Sequence, residues 1–138
     1  MCIQSTDTLG SSNQIIETVI RIDKLQKEII NDTNSCVTCD ISLVSGTNNT
    51  IPVAFTMCGG NLFNAIYALP DSLTNFFRIE SVRDRRFVTL RLLEAVEVEG
   101  TYVLVATNHT VILDLYCVCS MQCFSPITIT PCVTSNQV

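Results

Sequence analysis

The chain has 138 residues, the length of one ordinary domain, and a net charge of -5 with only two lysines, Lys24 and Lys27. That balance argues against a nucleic-acid-binding face, which needs a basic surface. Hydrophobic residues make up 47% of the chain, yet no apolar run approaches the ~18 residues of a membrane helix.

Residues 1–12 read as a polar N-terminal arm. Met1 to Gly10 has no apolar block of the signal-peptide kind, so cytosolic synthesis without a leader is expected, and "NDT", "NNT" and "NHT" at Asn31, Asn48 and Asn108 are read as chance sequons. Ser11-Ser12-Asn13-Gln14 fits a capping box. Ile15, Val19, Ile22, Leu25 and Ile29 then recur at three and four residues, with Ile16, Ile20 and Ile30 widening the stripe. This predicts one amphipathic helix over residues 13–31. Its apolar face either packs on its own domain or docks a neighbouring subunit. Asn31 to Ser35 ends it, and Cys36-Val37-Thr38-Cys39 follows in a polar stretch.

Residues 32–124 form the predicted body. After Ser45-Gly46-Thr47-Asn48-Asn49 the sequence is β-branched and aromatic at short spacing. Strands are predicted at Pro52 to Met57, Leu62 to Ala68, Asn75 to Val82, Arg86 to Val96, Thr101 to Ala106 and Thr110 to Cys119. Gly59-Gly60, Leu69-Pro70-Asp71, Arg83-Asp84, Glu99-Gly100 and Thr107-Asn108 separate them as turns. The expected fold is mainly β with an N-terminal amphipathic helix, as an antiparallel β-sandwich or jelly-roll-like barrel. Residues 125–138, with Pro126 and Pro131, read as an extended C-terminal tail.

No residue set points to an enzyme. His109, the one histidine, falls in a turn-like "TNHT", and no phosphate loop, nucleophile elbow or zinc-protease motif occurs. Glu94, Glu97 and Glu99 fit the solvent side and end of a strand. Asp114 interrupts an apolar strand, and a structural arginine partner such as Arg78 or Arg91 suits it better than catalysis. No cofactor is expected. The short basic stretch Arg83-Asp84-Arg85-Arg86 reads as a solvated turn.

The eight cysteines carry most of the information, because cytosolic thiols are normally kept reduced. Cys36-x-x-Cys39 has zinc-knuckle spacing, and Cys117, Cys119 and Cys123 supply enough further ligands for a structural zinc site in an interaction module. A thioredoxin-like site fits less well, since this motif follows a helix instead of opening one. A straight strand puts Val111, Leu113, Leu115, Cys117 and Cys119 on one face. Cys117 and Cys119 are then poorly placed to bond each other, and each needs a partner elsewhere.

"FFRIESV" (Phe76 to Val82), "VTLRLLEAV" (Val88 to Val96) and "VILDLYCVCSMQCF" (Val111 to Phe124) resemble the spore coat and exosporium proteins of the CotY/CotZ/ExsY type. Leu113-Asp114-Leu115, Cys117, Cys119 and Cys123 match that family's C-terminal block, and Phe77, Arg78, Ile79, Glu80 and Val82 match its Phe-Arg-Ile/Val-Glu-x-Val block. Thr110 stands where the family would carry another cysteine. The resemblance implies a structural protein made in the mother-cell cytoplasm. It would assemble with itself, through hexamer-type rings or other cyclic units, into a two-dimensional lattice on the spore surface. Other coat or exosporium proteins would be partners, nucleic acid and membrane would not, and disulfides would reinforce the sheet. Cys2, Cys36, Cys39 and Cys132 lie on arms and loops and are the candidate cross-linking residues; Cys117 and Cys119 are candidate core thiols of the β body.

Overall fold

The computed structural model describes residues 13–33 and 48–129, with the side chains of 29–33 left aside. Helix α1 (Gln14–Thr33) is followed by strands β1 (Val53–Met57), β2 (Ala65–Ala68), β3 (Ser72–Thr74), β4 (Phe76–Arg83), β5 (Phe87–Val98), β6 (Thr101–Asp114) and β7 (Val118–Cys123). Five strands form one antiparallel sheet in the order β6-β5-β4-β1-β7, and β2 and β3 form a separate hairpin. The fold is mainly β with one N-terminal helix, and it is sandwich-like, not a closed barrel.

The sheet cannot be flat. Four strand spacings separate its β6 and β7 edges, about 19 Å in a flat sheet. Only Leu115–Cys117, a single 3₁₀ turn, joins the two strands. Four Cα steps from Asp114 to Val118 reach at most about 14 Å. The sheet therefore folds over on itself. Its thinnest seam is β1–β4, which share the one registered pair Val53↔Phe77.

The core fills that fold. Val53, Phe55, Phe77, Ile79, Val88, Leu90, Leu113, Leu115 and Val118 are buried against Ile16, Val19 and Ile22 of α1. The helix lies along β4 and touches β7, so its apolar face is spent on its own domain. Asn13 is its N-cap, accepting from the N–H groups of Ile15 and Ile16 at 2.9 and 3.2 Å. An asparagine at this position satisfies two of the orphan N–H groups of the first turn; Ser11, of the expected capping box, lies outside the described residues.

The buried stripe also differs from the periodic one. Leu25 is 45% exposed, whereas Gln26 is 2% exposed. Gln26 donates to the carbonyl of Ile79 at 2.7 Å and accepts from the N–H of Ile51 at 3.0 Å. The β1–β4 ladder has the one registered pair Val53↔Phe77, and that antiparallel register sets Ile51 opposite Ile79 just beyond it. A buried glutamine therefore stitches the helix to β4 and to the entry of β1, where the two strands no longer pair directly. Hydropathy periodicity has no means of scoring it.

Several predicted turns are real. Glu99 and Gly100 both have positive φ, 53° and 82°, between the paired residues Val98 and Thr101. That is the two-residue geometry that suits the twist of a hairpin. The expected turn at Thr107-Asn108 is instead a bulge inside one continuous β6. Arg91 pairs with Thr110 and Leu93 with Ala106, so Thr107 to His109 stand opposite Leu92. The Thr107 hydroxyl donates to the carbonyl of Leu92, and Arg91 donates to the carbonyl of Thr107. Turn-forming residues here serve a bulge, which uses the same local chemistry.

Candidate assembly and cross-linking site

The chain between Asp114 and Cys123 depends on how β6 ends. Asp114 caps the 3₁₀ turn by accepting from the N–H of Tyr116 at 3.0 Å. Its two carboxylate oxygens also receive Nε and Nη2 of Arg86 at 3.0 and 2.9 Å. The Arg86 guanidinium lies over the rings of Phe87 and Tyr116, 4.9 and 4.4 Å from their centroids. Arg86 holds the Asp114 carboxyl below the usual carboxylate range, chiefly through this two-pronged hydrogen bond. The structural arginine expected for Asp114 exists, but it is neither Arg78 nor Arg91. Asp114 pairs with Phe87 across β5–β6, which puts its carboxylate beside residue 86 at the hairpin turn.

Arg78 and Arg91 face each other across β4–β5 and share Glu80. Its Oε2 accepts from Nη1 of Arg78 at 3.1 Å and from Nε of Arg91 at 2.9 Å. Arg78 is buried and also donates to the Thr50 hydroxyl at 2.8 Å. The strip around Asn49 and Thr50, bridged to Ile127, closes over this pair. The residues of the "FRIE" motif therefore alternate between core (Phe77, Ile79) and a polar clasp (Arg78, Glu80).

The straight strand through Leu115, Cys117 and Cys119 does not occur, because the 3₁₀ turn breaks it. Cys117 is half-buried in that turn and disulfide-bonded. Cys119 is exposed on β7 and bonded to Cys58, with 4.8 Å between their Cα atoms. The β1–β7 register jumps from Thr56↔Ser120 to Met57↔Val118, so Cys119 is the extra residue of a bulge, turned towards the end of β1. Cys58 waits there in the turn after β1, its N–H on the carbonyl of Cys117 at 2.9 Å. Neither Cys117 nor Cys119 is the core thiol that the sequence leads one to expect. The two do not bond each other and each is held elsewhere, although the strand alternation that predicts this is absent here.

Cys58 has little in the sequence to single it out. Its position directly before Gly59-Gly60, at the end of a predicted strand, is the available signal. Among the described residues Cys123 is the free cysteine, exposed at the end of β7. Desolvation pushes its thiol up, with the positive charge of Arg21 working the other way. Cys2, Cys36, Cys39 and Cys132 lie outside the described residues. The zinc ligand set of Cys36, Cys39, Cys117, Cys119 and Cys123 loses two members in this state, because a disulfide sulfur is not a thiolate ligand. His109 sits exposed on the β6 bulge, its N–H on the Thr107 hydroxyl.

Apolar surface is concentrated on the hairpins. Leu69 is 86% exposed, Tyr102 70% and Ile112 67%; Ile66, Leu73, Val98, Val103 and Val105 are also exposed. The β2–β3 hairpin packs beside β5 and β6, so most of these residues belong to the same end of the fold. On β6 these exposed residues fall on both faces of the strand, Tyr102 on one and Val103 and Val105 on the other.

No family model, no curated protein and no solved structure matches the chain.

Proposed function

We propose that this is a structural self-assembly protein of the outer spore coat or exosporium. In this reading, subunits join through symmetric contacts into an ordered sheet that disulfides then make permanent, forming a protective and permeability barrier. The observation that supports self-assembly is the number of large apolar side chains exposed on the β2–β3 and β5–β6 hairpins, Leu69 and Tyr102 foremost. The spore location rests on the resemblance of the "FRIE" and Cys-x-Cys-x3-Cys blocks, and on nothing else. Cys58 and Cys119 fit the same picture in a particular way. They brace the subunit itself, which leaves cross-linking between subunits to other thiols, Cys123 among them.

Electron microscopy of the purified protein with and without reductant tests this. Ordered sheets or rings are expected in both conditions, because packing arranges what disulfide later fixes. A strictly monomeric protein in both would sink the proposal. Localising a fluorescent fusion in a sporulating cell tests the second half, and diffuse mother-cell fluorescence that never reaches the spore surface would refute it.

A further inference from the structure

The outer edge of β6 is open among the described residues. Its distal segment, Thr101 to Ala106, reads Thr-Tyr-Val-Leu-Val-Ala. Natural edge strands are normally guarded by lysine, proline, inward charges or a bulge. This segment has none of them; the β6 bulge comes only afterwards, at Thr107 to His109. The segment is β-branched or aromatic at four of six positions and uncharged, which is the composition that pairs strand to strand.

Hairpin geometry says which groups are free. Across a two-residue turn the flanking residues, Val98 and Thr101, form a hydrogen-bonded pair, and the pattern alternates along the ladder. Val103 and Val105 then bond to Val96 and Glu94, their registered partners. The N–H and C=O groups of Tyr102, Leu104 and Ala106 point outward.

The geometry points to this edge as a homotypic joint: β6 pairs antiparallel with β6 of a second copy about a two-fold axis at Leu104. This inference rests on the self-assembly reading above and names its contact. A two-fold axis perpendicular to the sheet keeps each face continuous, so residues of like parity must pair. Centring on Leu104 sets Leu104 opposite itself and Tyr102 opposite Ala106. All outward groups are then used, in about six backbone hydrogen bonds, whereas centring on Val103 leaves Ala106 unmatched. Val103 then faces Val105 of the other copy.

The self-complementary register, which uses every outward group of both strands, is what suits a second copy, and charge does not oppose it at this segment. Each chain carries -5, and two copies approach with least repulsion where neither presents a carboxylate. The segment has none, while Glu94 and Glu97 lie one strand further in. Six residues against six bury less than the roughly 1,200 Å² of a stable complex. The joint is therefore weak by itself and suited to an assembly that has other contacts.

The test is amide hydrogen exchange on assembled and dissociated full-length protein, with two sets of variants. On assembly the amides of Tyr102, Leu104 and Ala106 are expected to slow at least about tenfold, while those of Val103 and Val105 change little. Leu104→Pro removes an outward donor without touching the β5 ladder and is expected to abolish assembly while the chain stays folded by circular dichroism. A charge pair guards against a folding failure there. Val103→Lys/Val105→Lys and Val103→Glu/Val105→Glu should each fail to assemble. Their mixture should recover it, because a lysine of one copy would face a glutamate of the other at both crossings. Wild type that assembles with these three amides unprotected overturns the joint and leaves the self-assembly reading intact. Protection that appears only after another protein is added refutes the second-copy assignment. Wild type that never assembles overturns both.

Discussion

Replacing Gln26 by leucine inverts what hydropathy suggests. The side chain is 2% exposed and ties Ile79 to Ile51 through two hydrogen bonds of 2.7 and 3.0 Å. Leucine fills nearly the same volume and gains about 1–2 kcal/mol of apolar transfer. It also strands two buried backbone groups, each at about 1–3 kcal/mol. Taking about 2 for each gives a loss near 4, and subtracting the apolar gain leaves Gln26→Leu destabilised by about 2–3 kcal/mol. Leu25→Gln next door should cost under ~1 kcal/mol, since Leu25 is 45% exposed. Urea unfolding of both variants in dilute, non-reducing solution, compared at equal m-value, measures the contrast. A Gln26→Leu protein as stable as wild type would refute the claim that this residue bridges β1 and β4. A large loss in Leu25→Gln would show that the helix buries the other stripe.

Three further outcomes follow from the same structure. Cys58→Ser removes a bond spanning 61 residues of sequence, and loop-closure entropy puts the loss at roughly 4 kcal/mol; reduction of the wild type should bring its unfolding midpoint towards the mutant's, and an unchanged midpoint in Cys58→Ser would show that the bond does not constrain the chain. Arg78→Ala leaves the Thr50 hydroxyl without its charged donor in a buried clasp, yet Glu80 keeps Arg91. A loss near the lower end of the buried-pair range, about 3 kcal/mol by thermal unfolding, is expected, and a neutral result would mean that the clasp is ornamental. The lowered pKa of Asp114 means that its stabilisation is present above the ordinary carboxylate value, about 3.9, and is lost as pH falls through the lower folded value. Asp114→Asn should therefore be less stable than wild type at pH 7 and converge with it under acid conditions; parallel pH profiles would refute the role given to Arg86.

The local elements are legible because local physics makes them. Helix α1 follows from isoleucine and valine at helical spacing, and the β5–β6 hairpin from Glu99-Gly100 between two β-branched runs. The mainly β, antiparallel class follows from turn residues at short intervals. The likeness of "TNHT" to a turn misleads at one point, since a bulge draws on the same residues and only the β5 register distinguishes them. The covalent pattern is less visible: separate partners for Cys117 and Cys119 are predicted from a straight strand that a 3₁₀ turn in fact breaks, and nothing local marks Cys58 as one of those partners.

What the sequence determined by itself is the set of elements and the chemistry on offer: one helix, a run of short strands, eight thiols and few charges. Tertiary structure alone decided the pairings. Arg86, not Arg78 or Arg91, meets Asp114 because the β5–β6 register brings them together. Gln26, not Leu25, is buried because the β1–β4 ladder stops at Val53↔Phe77 and leaves Ile51 and Ile79 to be bridged. Cys119 finds Cys58 because one extra residue on β7 turns it towards the end of β1. Each depends on the alignment of residues far apart in the chain, which periodicity within a segment does not encode.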